Sequence, residues 1–382
     1  MTRIVIACDK FKGSATASGI SGALSRGIVD YLGPEVDIVS VPVADGGDGT
    51  IDAALSISYE KHISRVSGPY GVPTDAAYAY DSVTRTAVLE VAEACGLRLV
   101  DADGVDSGAI DGTTARTDGV GQLITDALDR GARKIILGLG GSATSDGGAG
   151  MLAALGAQLL THAGAPVDPG GAGLAEIASV TLDSLDDRLA EADFIIASDV
   201  TNPLCGAEGA AAVYGPQKGV GESQVPTLDA ALGRYAELIE HAMGAHPGAF
   251  SSASGAGAAG GLGFASAAVL GGVMQSGADL VLDLVGFDDA LKGADLVITG
   301  EGRFDSQTLQ GKAPARVSER AREAGVRTIA VCGTSDLSDE QVRSVGIEQL
   351  FALTDVDPDV RRCIADPLPL MEGLGRQIAA GL

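Results

Sequence analysis

Tryptophan is absent from this 382-residue chain, and all aromatics together make up 4% of it. Single-stranded nucleic acids are held largely by stacking bases on aromatic side chains, so this scarcity argues against that class of partner. Positive charge is also scarce: Lys and Arg total 26 against 51 Asp and Glu, a formal net charge of −25. A nucleic-acid binder needs a basic face, and this balance argues against one. Histidine numbers only four. None falls in the glycine-rich loops described below, which argues against His-based catalysis or a His-ligated zinc site. The five cysteines (Cys8, Cys95, Cys205, Cys332, Cys363) are widely spaced and lack a C-x-x-C. They read as reduced core thiols, which points to the cytoplasm. No apolar run approaches the ~18 residues of a membrane span, and Ile4–Cys8, followed by Asp9 and Lys10, reads as a strand and not a signal peptide.

What is plentiful is apolar residues, at 46%, and glycine, at 55 residues. The glycine share is about twice the usual one, clustered and without a repeat. A chain of this length is expected to form two domains. Arg3–Cys8 and Val36–Val43 read as strands, each followed by a polar loop and a helix; Ile20, Leu24 and Ile28 mark one face of the first helix. Near the other end, Asp295–Thr299, Thr328–Cys332 and Gln349–Leu353 follow the same grammar. A helix from Ala315 to Ala324 is opened by Pro314 and closed by Gly325. Two strands at the front and three at the back make one doubly wound, flavodoxin-like parallel sheet if joined. The predicted architecture is therefore α/β, a discontinuous domain of residues 1–65 and 290–382, with a second α/β domain, 66–289, inserted. Ala87–Val91, Lys134–Leu139 and Asp193–Ser198 are the strands expected in the insertion. Ligands of such sheets bind beyond the carboxyl ends of the strands, so a cleft between the domains is the expected site.

Four of the seven lysines sit in glycine-bearing loops after apolar runs: Lys10 and Lys12 in ACDKFKGS, Lys218 in YGPQKG, and Lys312 in GEGRFDSQTLQGK. Ammonium is a compact point charge suited to a phosphoryl oxygen. Lysine, carboxylate and glycine at strand ends is what phosphoryl transfer on a metal–nucleotide complex requires. The loop GLGGSATSDGG, residues 138–148, lies between a strand and a segment with Met151, Leu152, Leu155 and Leu159 on a helical face. Gly140, Gly141 and Ser142 there read as an anion-binding turn; the plainer alternative is a tight turn capped by Ser145 or Asp146. In ADGGDGT, residues 44–50, Asp45 ends a strand and suits Mg2+, while Asp48 is equally a helix cap. In SDVTNPLCG, residues 198–206, Asp199 reads as a base or metal ligand, or as part of an Asn202-Pro203 turn. Residues 300–312 crowd Glu301, Arg303, Asp305, Gln307 and Lys312 into one loop after a strand. Arg303 suits a bidentate grip on a carboxylate, and Lys312 a phosphate. No G-x-x-x-x-G-K-[ST] or protein-kinase motif set occurs.

In this order the loops resemble the bacterial type 1 glycerate kinase family along nearly the whole chain. The likeness rests on IVIACDKFKGS, VPVADGGDGT, GLGGSATSDGGAGMLAALGA, SDVTNPLCG, YGPQKG, GAGAAGGLG and ADLVITGEGRFDSQTLQGK. Lys10, Asp48 and Ser145 stand where the family usually has Ser, Glu and Asn, and Arg116–Leu123 replaces its threonine-rich segment. The resemblance implies ATP-dependent, Mg2+-assisted phosphorylation of D-glycerate, with 2-phosphoglycerate favoured and 3-phosphoglycerate possible. It carries Asp9, Lys12, Asp45, Asp199, Asn202, Lys218, Glu301, Arg303, Asp305 and Lys312 into the site. The expected roles follow. Lys12, Asp199, Arg303, Asp305 and Lys312 are catalytic; Gly140, Gly141, Ser142, Asn202 and Lys218 bind the nucleotide; Asp45, Asp199 and Glu301 hold the metal. The expected partners are small molecules only, with no nucleic acid or membrane, for a monomer or small homo-oligomer. A nicotinamide-dependent oxidoreductase built on Gly138-x-Gly140-x-x-Ala143, and a non-catalytic sensor of organic acids, are the alternatives.

Overall fold

A computed structural model describes residues 2–102 and 110–382. The described chain forms two compact units. The first comprises Met1–Asp45, Asp52–Ile57 and Gly277–Leu382; the second comprises Gly46–Ile51 and Ser58–Ser276. Among the described residues, no helix is long and apolar enough to cross a membrane.

The first unit is built on β1 (Arg3–Cys8), β2 (Asp37–Ser40), β11 (Leu296–Phe304), β12 (Arg327–Ser335) and β13 (Ile347–Ala352). They form one sheet in the order β13-β12-β11-β1-β2, parallel throughout. Both faces are covered, as a parallel sheet requires. Alternation along β1 shows how: Ile4, Ile6 and Cys8 pack with Ile20, Leu24, Met371 and Leu374, while Val5 and Ala7 pack with Ala278, Leu282, Val317 and Ala321. The strand expected over Val36–Val43 is regular only to Ser40. Val41 and Val43 continue beside β1 through bonds to the Ile6 and Cys8 carbonyls, at 2.8 and 3.4 Å. At the other end β11 outruns its expected limit by five residues, so Glu301 and Arg303 lie in a strand and not in a loop.

The second unit holds β3 (Glu60–Ser67), β4 (Pro73–Asp81), β5 (Thr86–Glu90), β6 (Lys134–Gly138), β9 (Asp193–Ala197) and β10 (Val273–Gln275) in the order β10-β9-β6-β5-β4-β3. The four strands β5, β6, β9 and β10 are parallel; β3 and β4 form an antiparallel hairpin at one edge. A separate hairpin joins β7 (Gln158–Thr161) to β8 (Ile177–Thr181). Leu159, expected on a helical face, is in that hairpin, because the helix Ala149–Ala154 stops before Gly156 at φ +109°.

Two helices of the first unit meet through small residues. A Cβ on Gly27, in the helix Ala17–Leu32, would stand 2.0 Å from the Glu372 carbonyl of the helix Pro367–Ala380. A Cβ on Gly22, in the same helix, meets only the Arg26 side chain, at 3.6 Å. Glycine-to-alanine in a helix ordinarily gains about 1 kcal/mol. Gly22→Ala is therefore expected to raise the midpoint of urea unfolding, and Gly27→Ala to lower it by about 1–3 kcal/mol in stability through overpacking. A gain from Gly27→Ala would contradict the close helix contact.

Candidate active site

Pairing between β1 and β11 ends with Cys8 opposite Gly300, whereas β11 and β12 remain paired to Phe304 opposite Ser335. The carboxyl edge of the sheet therefore has a step beside β1. In this strand order the connections leave β1 and β11 toward opposite sides, so the step coincides with the switch point at which open α/β sheets take ligands.

Asp9 occupies the step. Its N–H donates to the Gly300 carbonyl at 2.8 Å, and its Oδ1 accepts from the Lys10 N–H at 2.6 Å. Phe11, buried, crosses over Gly302, where a Cβ would stand 3.3 Å from the Phe11 Cα. The Phe11 N–H donates to the Ala15 carbonyl at 2.9 Å, closing a tight loop through Gly13 at φ +73°. Lys12 stands exposed on that loop. The step opens into a cavity of about 370 Å³. Its polar lining includes Asp9, Lys12, Asp45, Glu301, Arg303, Asp305 and Lys312; its apolar lining includes Phe11, Leu353, Val360, Cys363 and Ile364.

Electrostatically the cavity is crowded with carboxylates. Burial, then the charge of Asp45 and, more weakly, that of Glu301, push the Asp9 carboxyl from 3.8 up to about 8; the Lys10 N–H and ammonium oppose the rise. Burial also raises Glu301. The Thr308 hydroxyl, donating to its Oε1 at 2.6 Å, and the Lys312 ammonium, 3.7 Å from Oε2, hold it down, while Asp45 and Asp305 push it further up. Arg303 is largely exposed and pairs with Asp336 through Nε and Nη2 on one oxygen, Oδ2. Asp305 accepts from the Gln307 N–H at 2.8 Å. Among the described residues no three His, Cys, Asp or Glu side chains converge tightly enough to hold a metal unaided. Carboxylates crowded around one cavity nevertheless suit a hard cation that takes one or two of them and completes its shell with water and phosphate.

The second unit presents a parallel edge of its own. Glu90, Gly138, Ala197 and Gln275 stand in register across β5, β6, β9 and β10. Beyond them, Gly140 and Gly141 reach the surface, and Asp199 is exposed. Backbones meet closely here: a Cβ on Gly140 would lie 2.5 Å from the Gly47 Cα. Glu90 anchors the Gly47-containing loop by accepting from the Gly49 and Ile51 N–H groups at 2.9 and 2.8 Å. Past Gly141 the turn dives inward, and Ser142, Thr144, Ser145 and Asp146 are all buried. Asp146 accepts from the N–H groups of Thr117, Gly148 and Gly150 and from the Thr117 hydroxyl. The cap position of the helix is Gly148, which has no side-chain cap, so Asp146 supports the helix start from two residues earlier by accepting from the Gly150 N–H.

Lys218 is inside this second unit and not at its surface. Buried, it donates to Ser142 Oγ at 2.9 Å and to the Thr144 carbonyl at 2.7 Å, and desolvation lowers it to about 8. Asn202, half-buried, is engaged by protein groups: its Nδ2 donates to the Glu208 carbonyl at 2.8 Å, and its Oδ1 accepts from Tyr214 at 2.7 Å. One cavity in the first unit thus gathers Lys12, Asp45, Glu301, Arg303, Asp305 and Lys312. Asp199, Gly140, Gly141, Ser142, Asn202 and Lys218 belong to the second unit, where Ser142, Asn202 and Lys218 bond to protein groups. The family resemblance brought Asp9 into the site without an individual role, and the sequence reading did not see Asp336 or the apolar wall from the C-terminal segment. A carboxylate directly after β1 was a usable signal for Asp9; nothing local marked the others.

Lysines and carboxylates around a sheet-edge cavity are the equipment of a phosphotransferase. Residues 4–382 match the glycerate kinase family. The chain is 40% identical over 381 residues to the glycerate kinase of Bacillus subtilis (strain 168), covering 100% of this chain and 97% of that one. It is likewise 40% identical over 353 residues to the glycerate 2-kinase of Escherichia coli (strain K12), covering 92% and 90% of the two chains. A crystal structure of a protein provisionally named glycerate kinase 2, from Salmonella typhimurium LT2, superimposes with a TM-score of 0.84 at 36% identity, covering 100% of this chain and 98% of that one. The chain belongs to the glycerate kinase family, enzymes that transfer phosphate to an alcohol group.

The charge conflict at Asp9 has a measurable consequence. Its folded pKa, about 8, lies above the ordinary 3.8, so the carboxyl favours the folded state below pH 3.8 and loses that advantage as pH rises toward 8. Asp9→Asn keeps the acceptor for the Lys10 N–H and removes the charge. In metal-free buffer its unfolding free energy is expected to match wild type near pH 4 and to exceed it increasingly up to pH 8, by roughly 1.4 kcal/mol per pH unit at most. A variant less stable than wild type at pH 8 would contradict the crowding described here.

Proposed function

We propose that this protein phosphorylates D-glycerate with ATP as donor and Mg2+ as the accompanying ion, yielding 2-phosphoglycerate. The observation that carries the reading is the step between β1 and β11, where Lys12 and Lys312 share one cavity with Asp9, Asp45 and Glu301.

Lys12, exposed on a tight loop, and Lys312, at the start of the helix Ala313–Glu323, are proposed to neutralise the phosphoryl oxygens. Asp45 and Glu301 fit Mg2+, which supplies further charge neutralisation on the phosphates when bound. Arg303 receives the glycerate carboxylate. One Asp336 oxygen already orients its guanidinium through Nε and Nη2, and donors on Nη1 are available to a second anion. Asp305, two residues further along, orients the attacking hydroxyl with the oxygen not engaged by Gln307. The Gly140–Gly141 turn and Asp199 are proposed as contributions of the second unit to phosphate binding and hydroxyl orientation. Lys218 is proposed to act on that turn through Ser142 and Thr144, without touching phosphate itself.

In a largely dissociative transfer, neutralising and positioning the phosphoryl group outweigh deprotonating the acceptor. Lys12→Met is therefore expected to lower kcat by about 10²–10³-fold, and Asp305→Asn and Asp199→Asn each by less, with ADP followed by coupled enzymes. An Asp variant that loses as much as Lys12→Met would overturn that ranking. Phosphorus NMR of the product is expected to show 2-phosphoglycerate; a 3-phosphoglycerate signal would overturn the assigned position. ADP formation that does not depend on D-glycerate would overturn the assigned acceptor.

A further inference from the structure

Glycerate has three carbons, each bearing oxygen, and offers no apolar surface to bury. The cavity at the β1–β11 step is larger and less polar than such a substrate needs. At about 370 Å³ it falls within the ~300–1,000 Å³ of pockets that hold drug-sized ligands. One of its walls is formed by Leu353 and by the short helix Val360–Ala365. Val360 and Ile364 are four residues apart, hence on one face of that helix. They are 47% and 50% exposed, and both line the cavity. The wall is tied to the lysine loop: Ser14 Oγ donates to the Ile364 carbonyl at 2.8 Å. The cavity therefore offers both ammonium groups and an aliphatic face.

We infer that the aliphatic face made by Val360 and Ile364 is the seat of the purine base of the phosphoryl donor. This rests on the kinase reading of the same cavity. A nucleoside triphosphate carries the complementary features, with its anionic chain toward Lys12 and Lys312 and its flat apolar base toward the C-terminal helix. Burying the base covers the two half-exposed aliphatic side chains, which glycerate alone leaves in water. The Ser14 bond keeps the base seat and the lysine loop at a constant separation, so a bound base sets where the phosphate chain lies. The C-terminal segment thereby becomes part of donor recognition, and the residues on that helix face set the preference for a base.

The test uses the full-length protein and its double variant Val360→Asn, Ile364→Gln. Both positions are half-exposed, so melting temperatures are expected to agree within a few degrees. Calorimetric titration with MgADP, and with tripolyphosphate as a baseless polyanion, reads the base and the phosphate chain separately. The double variant is expected to bind MgADP about tenfold or more weakly, with tripolyphosphate binding unchanged and the KM for D-glycerate unchanged. Unaltered MgADP affinity in the variant overturns the base seat while leaving the kinase reading intact. Equal weakening of MgADP and tripolyphosphate also overturns it, assigning the helix to the phosphate loop instead. A wild-type protein that binds neither ligand and forms no ADP with D-glycerate defeats the kinase reading itself.

Discussion

Repulsion among Asp9, Asp45 and Glu301 is the constraint around which the first unit is arranged. Nothing in folding favours three carboxyl groups facing one cavity, two of them buried. The sheet holds them there regardless, because β1 ends at Cys8, opposite Gly300, and β11 continues four residues past it, to Phe304. The rigid elements behind the step make up the cost: both faces of β1 are packed, and the Gly27–Glu372 helix contact admits no extra atom. A site that costs stability and is backed by close packing is the arrangement expected of groups kept for chemistry.

The second unit solves a different problem, keeping a glycine turn at the edge of a sheet in one conformation. It does so from beneath. Buried Lys218 bonds to both a side chain and a carbonyl of the turn, and Asp146 ties the Gly148 and Gly150 N–H groups of the helix that follows to the Thr117 N–H at the start of another helix. A buried ammonium is costly unless its donors are satisfied and an opposite charge is near. Asp146 and the two oxygens meet that need. The result is that, within the turn, only Gly140, half-buried against Gly47, and Gly141 are left toward the surface.

Much of this was legible in the sequence. Apolar runs followed by polar loops located all five strands of the first sheet, since parallel strands buried on both faces are continuously apolar. The resemblance in ordered loops named the family that the comparisons then showed. The misplacements have physical causes. β3 runs Glu-Lys-His-Ile-Ser-Arg-Val-Ser at an exposed edge, a pattern too polar to announce a strand. Glu301 and Arg303 looked like loop residues because charges seldom sit in a strand; they do so here because β11 outlasts its neighbour. Lys218 looked like a phosphate ligand because a lysine in a glycine loop does not reveal which way it points. The apolar wall of the cavity comes from more than 340 residues beyond Lys12 in the chain, and only the fold brings them together.

We propose that the carboxylates at the step serve the metal–nucleotide complex of the reaction. The most direct measurement is the affinity of Mn2+, substituting for Mg2+, for the protein in the presence of saturating ADP, read by electron paramagnetic resonance. Glu301→Gln and Asp45→Asn, melted first to confirm that they fold, are each expected to weaken the ternary complex by about tenfold or more. Affinities equal to wild type in both variants would contradict the claim and remove the step from the metal's surroundings.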